Sequence, residues 1–208
     1  MGWCHCIILS CSCLLKCKRL TKKIKKCDVS RDRAAVLWYS LPVMEAQSPN
    51  RTSLRSVCFT GHRELPPRTT PAYRQLVKDT EAAIRRAFDE GARRFYCGGA
   101  EGFDLLCGQL VILERERHLD IQLILLLPYT GFGERFSARD RAELSRQKRE
   151  AEEVLYLSNH YFPGCMALRN RQLVEDADVC IAHLVRAPSG TAQTVGFARQ
   201  KGAEIVYV

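Results

Sequence analysis

The chain has 208 residues, 46% of them hydrophobic and 26% charged, with a formal net charge of +9. That composition suits one globular domain with a substantial core, or one domain and a tail. Residues 1–43 carry +7 and the remaining 165 residues only +2, so basicity belongs to the leader, which argues against broad nucleic-acid binding by the folded part.

Met1 to about Ser53 reads as foreign to the rest of the chain. Its apolar run, Cys6–Leu15, is about ten residues long, short of the roughly twenty a membrane helix needs. The basic cluster comes after that run, the reverse of a secretory signal. Met1-Gly2 hints at acylation, but Cys6 stands where Ser or Thr is expected. Six of the eleven cysteines lie here, at spacings that match no common zinc pattern. We therefore expect residues 1–53 to be an unstructured leader, or upstream sequence read through to a wrongly chosen start, with Met44 as the natural alternative initiator. The folded domain is expected over residues 54–208. Its five cysteines, Cys58, Cys97, Cys107, Cys165 and Cys180, sit mostly in apolar runs without C-x-x-C pairing, as reduced thiols of a cytoplasmic protein would.

From Ser56 strand and helix signals alternate. Ser56–Thr60 is a β-like run ending at Gly61. Thr70 and Pro71 open a helix that reaches toward Gly91, with Tyr73, Leu76, Val77, Ile84, Ala87 and Phe88 on one face. Phe95–Cys97 is a strand and Asp104–Arg117 a helix. Ile121–Leu127 is continuously apolar, as a strand covered on both faces should be. A charged helix comes next over Ser137–Glu153, then a strand at Val154–Leu157, a helix at Cys165–Asp176, and a strand at Val179–Leu184. A helix at Thr191–Lys201 and a strand at Ile205–Val208 close the chain. The alternation predicts an α/β, Rossmann-like, doubly wound and mostly parallel sheet with helices on both faces.

Such sheets bind ligands beyond the carboxyl ends of their strands. Those ends carry Thr60-Gly61-His62-Arg63, Gly98-Gly99-Ala100, Pro128-Tyr129 and Ser189-Gly190-Thr191. In Cys97-Gly-Gly-Ala-Glu-Gly-Phe-Asp104, glycines at a strand-to-helix junction let the backbone approach a bound group, and the first helical amides favour an anion. The spacing is neither the dinucleotide fingerprint nor a P-loop, and a turn that merely reverses the chain reads equally well. His118, His160 and His183 are scattered, without ligand spacing, and predict no metal site. Cys97 reads as a structural thiol, and Gly131-Phe132-Gly133 as a flap or a surface loop.

Taken in order, five motifs resemble the SLOG superfamily, and within it the YpsA-like branch, related to the LOG phosphoribohydrolases and to DprA. They are Thr60-Gly-His-Arg63, Gly98-Gly-Ala-Glu-Gly-Phe-Asp104, Pro128, Arg169-Asn170 with Asp178, and Ser189-Gly-Thr191 with Gly196 and Ala198. The resemblance covers about Ser56 to Val208 and implies a nucleotide or nucleotide-derived ligand, a nucleoside phosphate or an ADP-ribose-like compound. In that reading Gly98, Gly99 and Gly102 admit phosphate, and the Ser189, Gly190 and Thr191 amides form a second anion site. Arg169 clamps phosphate, Asn170 and Asp104 orient ribose or order the loop, and His62-Arg63 meet base or phosphate. No cofactor is implied, self-association is left open, and nucleic-acid or membrane partners are not expected of the domain.

Met166-Ala-Leu-Arg169-Asn170 resembles the LOG M-x-x-R-K segment. LOG enzymes place a glutamate three residues after the matching Thr191, and here that position is Thr194. A hydroxyl cannot hold a proton near neutral pH as a carboxylate does, which puts N-glycosidic hydrolysis in doubt unless Glu101 or Asp104 substitutes. A structural cap reads equally well for Asp104. DprA-like single-stranded DNA binding is the third reading, opposed by the near-neutral charge of the domain.

Overall fold

The computed structural model describes residues 55–208, so the leader expected over residues 1–53 lies outside the described residues. Six strands alternate with five helices: β1 (Arg55–Gly61), α1 (Pro71–Asp89), β2 (Ala92–Cys97), α2 (Phe103–Arg115), β3 (Gln122–Leu127), α3 (Ala138–Glu150), β4 (Glu153–Tyr156), α4 (Cys165–Glu175), β5 (Val179–His183), α5 (Gly190–Lys201) and β6 (Glu204–Tyr207). The sheet order is β4-β3-β2-β1-β5-β6, and every pairing is parallel. This is the Rossmann-like, doubly wound α/β fold, wholly parallel where the sequence predicts a mostly parallel sheet.

The period of two along each strand divides the core into two layers. Val57, Phe59, Phe95, Leu123, Leu125 and Ile181 face one side, where they meet Leu76 and Ile84 of α1, Leu110 of α2 and Leu144 of α3. Cys58, Tyr96, Ile124, Leu126 and Cys180 face the other, against Leu173 and Val174 of α4 and Val195 and Ala198 of α5. The five cysteines of the described residues are free and buried, so they contribute as small hydrophobes. Thr70 caps α1 by accepting the Tyr73 amide at 3.3 Å, with Pro71 in the first turn. The charged segment makes a shorter helix than its composition suggests. Ala151 turns extended and the Glu152 amide donates to Leu123 O at 2.9 Å, drawing the chain into edge strand β4.

Strands β1 to β4 step outward in one direction, and α4 then carries the chain back to lay β5 against the other side of β1. The winding direction reverses between β1 and β5, and a crevice opens there at the carboxyl ends of the strands. The two helices flanking that reversal are stapled at their far ends. Lys201 Nζ, in the last turn of α5, donates to Val174 O and Glu175 O at the end of α4 and to Ala177 O just beyond it, at 2.6–2.9 Å. Among the described residues, no helix is long and apolar enough to cross a membrane.

Candidate functional site

A cleft of about 350 Å³ occupies the crevice. Its wall combines Thr60, Gly61, His62 and Arg63 from the end of β1, Ala100 and Asp104 from the start of α2, Arg169 and Asn170 from α4, and Ser189, Gly190 and Thr191 from the start of α5. Eleven of the fourteen residues singled out in the sequence therefore come together on one surface.

Arg169 is the anchor. Only 6% of it is exposed, its Nη1 donates to Asp104 Oδ2 at 3.0 Å, and its Nε has no partner among the described residues. The same Asp104 oxygen accepts the Ala100 amide at 3.2 Å. Burial pushes the Asp104 carboxyl above its ordinary range, while the Arg169 guanidinium pulls it back. A buried pair in this geometry costs desolvation that its mutual attraction must offset. Opposite lies the N-terminus of α5. Ser189 Oγ caps the Ala192 amide at 3.1 Å and donates to Arg186 O at 2.9 Å. The Gly190 and Thr191 amides lie in the first turn, where no intrahelical acceptor exists. A guanidinium and helix-start amides facing one small volume suit a phosphate or carboxylate.

Gly98, Gly99 and Gly102 do not line this cleft. A Cβ on Gly98 would lie 1.3 Å from Arg169 Nη1, so that glycine makes room for the arginine instead of a ligand. A Cβ on Gly102 would lie 2.1 Å from Arg63 O, where the loop after β1 crosses the backbone. Gly99 has φ +65°, and a Cβ there would stand 2.7 Å from Leu127 and 3.1 Å from Leu144. A branched residue at Gly99 therefore damages the core before it meets any ligand. Gly61 admits the Phe103 ring in the same way, at 2.4 Å from its ideal Cβ. These glycines assemble the rim by letting other elements pack directly on the backbone.

His62 is buried, and its Nε2 accepts the Arg186 amide at 3.2 Å. Acceptance requires an unprotonated Nε2, and burial, with Arg186 and His183 nearby, lowers the pKa of the ring. The unfolded chain then takes a proton first as pH falls below about 6.5. The stability this contact contributes is present above that pH and is lost as pH falls toward the lower folded value. We expect the thermal midpoint to fall between pH 7.5 and 5.5, and to fall less in His62→Gln. Parallel pH profiles of the two proteins would show His62 to be inert.

Asp178, Glu101 and Thr194, which stands where the LOG glutamate would be, are placed away from the cleft chemistry. Asp178 accepts both the amide and the hydroxyl of Ser56 at 2.9 Å, at the amino end of the sheet away from the cleft. Thr194 is fully buried and spends its hydroxyl on Gly190 O at 2.8 Å. Glu101 lines neighbouring pockets and not this one. The carboxylates of the cleft are thus Asp104, held by Arg169, and Glu64, paired with Arg186 at 3.1 Å. The Cys97 thiol donates to Asp104 O at 3.0 Å, and burial pushes its pKa up, away from a thiolate. Among the described residues, no cluster of three or more His, Cys, Asp or Glu side chains gathers as a metal site would. Sequence reasoning missed Arg186 and Glu64. The one signal for Arg186 was its place in the loop after β5, at the rim.

A family model described as the YspA SLOG family matches residues 57–195. The chain belongs to this SLOG family. Its match spans β1 through the first half of α5 and so takes in every wall of the cleft. A search of the curated proteins finds no match. Among solved structures, DNA processing protein A of Helicobacter pylori, described for its single-stranded DNA binding mode, is similar with a TM-score of 0.55 and 19% identity, covering 74% of this chain and 65% of that one. DNA processing protein A (DprA) of Streptococcus pneumoniae has a TM-score of 0.53 and 16% identity, covering 74% of this chain and 50% of that one. The SLOG chain described here thus spans half to two thirds of those proteins, and at this identity the likeness shows a shared fold.

Proposed function

We propose that this SLOG domain binds a nucleotide or nucleotide-derived ligand, a nucleoside phosphate or an ADP-ribose-like compound, as a sensing or regulatory module of the cytoplasm. The supporting observation is the buried, partly unsatisfied Arg169 facing the first amides of α5 across a cleft at the reversal of the sheet. A buried donor without an acceptor is costly, and a phosphate oxygen would supply the acceptor. Both cleft carboxylates are held by arginines, and Thr194 is turned into its own helix, which favours binding over N-glycosidic hydrolysis.

Isothermal titration of the full-length protein against a nucleotide panel tests this. We expect saturable binding of at least one nucleoside phosphate and much weaker binding of its unphosphorylated nucleoside. No binding of any member at millimolar concentration by folded protein would overturn the reading. Single-stranded DNA, the ligand for which the Helicobacter pylori protein of the same fold is described, is the second reading. A gel shift that depends on Arg169 and steepens at low salt would decide for it.

A further inference from the structure

We propose that the cleft is half of a two-part site, and that a pocket beside it, walled by Tyr129 and Tyr161, takes the base of the same ligand. This inference rests on the phosphate reading of the cleft. The pocket holds about 450 Å³ and lies beyond the carboxyl ends of β3 and β4. Arg63 and Met166 line both volumes, so the two are neighbours with these residues at their shared border.

The second pocket has the chemistry of a stacking platform. Tyr161 is 63% exposed, a large fraction for an aromatic ring. It meets Tyr129 edge-on, with centroids 5.7 Å apart and planes at 83°. Tyr129 is backed in turn by Phe132, also edge-on at 5.7 Å, and Phe132 is buried. An edge-to-face contact covers at most one face of one partner, so the 63% exposed Tyr161 keeps at least one ring face clear of Tyr129, and a planar heterocycle covers such a face well. The two loops that carry the tyrosines are tied by the Thr130 amide donating to Ser158 O at 2.9 Å. Arg63 lines both volumes, so the proposed ligand would carry its phosphate and its base on either side of this residue.

Charge separates a single nucleotide from a strand. The positive groups of the aromatic pocket, Arg63 and Arg135, are matched by Glu101 and Glu134 on its wall. An extended strand needs a continuous basic groove, whereas a mononucleotide needs one anion site and one stacking site, and these are the two features the rim presents.

The test uses the full-length chain and four probes: 2-aminopurine riboside 5′-monophosphate, the same riboside without phosphate, ribose 5-phosphate as a competitor, and a short single-stranded oligonucleotide carrying 2-aminopurine. Base stacking quenches 2-aminopurine fluorescence. We expect Tyr161→Ala to weaken the nucleotide at least about fivefold, the lower range for losing a base–aromatic stack. Tyr161→Phe, which keeps the ring, should bind as wild type, and ribose 5-phosphate should bind all three proteins equally. Ribose 5-phosphate binding as tightly as the nucleotide, or an equal loss of both probes in Tyr161→Ala, would overturn the base pocket and leave the phosphate cleft standing. Quenching of the riboside that depends on Tyr161, without binding of ribose 5-phosphate, would sink the phosphate reading and overturn the two-part site, leaving only an aromatic pocket that binds the base. Binding confined to a 2-aminopurine oligonucleotide would overturn the free nucleotide and assign the surface to a strand, and no binding of any probe would overturn both halves.

Discussion

Gly98→Ala is expected to destabilise the domain by about 3–5 kcal/mol, the range for breaking a buried ion pair. The new methyl group would occupy the position of Arg169 Nη1, 1.3 Å away, and would crowd Asp104 Oδ2 at 2.7 Å. Arg169 must then leave, and Asp104 stays behind as a buried carboxylate. The backbone is not the obstacle, because Gly98 is absent from the glycines with positive φ. Gly190→Ala is the control: a Cβ there meets nothing within 4 Å, so its stability should stay within about 0.5 kcal/mol of wild type. Urea unfolding at constant m-value measures both changes. Equal, small changes would show that Arg169 has another place to go and that the ion pair is not held by Gly98.

Replacing both members of the pair should separate stability from binding. Arg169→Met alone leaves Asp104 buried without its cation, which is expected to cost about 3–5 kcal/mol. Burial already raises the Asp104 pKa, and loss of Arg169 raises it further. The penalty falls on the ionised form, so this variant should regain stability as pH falls through the raised folded value. Adding Asp104→Leu removes the stranded charge, and the double variant should recover most of the loss. It should nevertheless bind no phosphorylated ligand, because the guanidinium is gone. A double variant that is stable and binds normally would remove Arg169 from the site.

Local signals in the sequence mark most of the fold. Thr70-Pro71 names the start of α1, and the unbroken Ile121–Leu127 run becomes a strand buried on both faces. The alternation of elements is enough for the doubly wound sheet. The end of α3 was less legible, because the backbone bond that stops it reaches back to Leu123 in another strand. The cleft was legible as a set of loops at strand ends, since topology brings those ends to one rim. The work of its glycines was not. That Gly98 serves Arg169 depends on a contact between α2 and α4, whose paired residues Asp104 and Arg169 lie 65 positions apart. Arg186 was hidden for a similar reason: its contacts reach back to the loop after β1, through its backbone amide to His62, 124 residues away, and through its side chain to Glu64.

The three bonds from Lys201 to the end of α4 and the turn after it also bear on how the cleft can respond to a ligand. Arg169 rides on α4 and the Gly190 and Thr191 amides on α5, so the opposing contacts with an anion sit on two helices clasped at their other end. The pair behaves like tongs with a fixed hinge, in which the gap at the tips is set by a lysine at the handle. Most of the entropy of aligning these donors is then lost during folding and not at the moment of binding. A residue that touches no ligand would thereby set the gauge of the site.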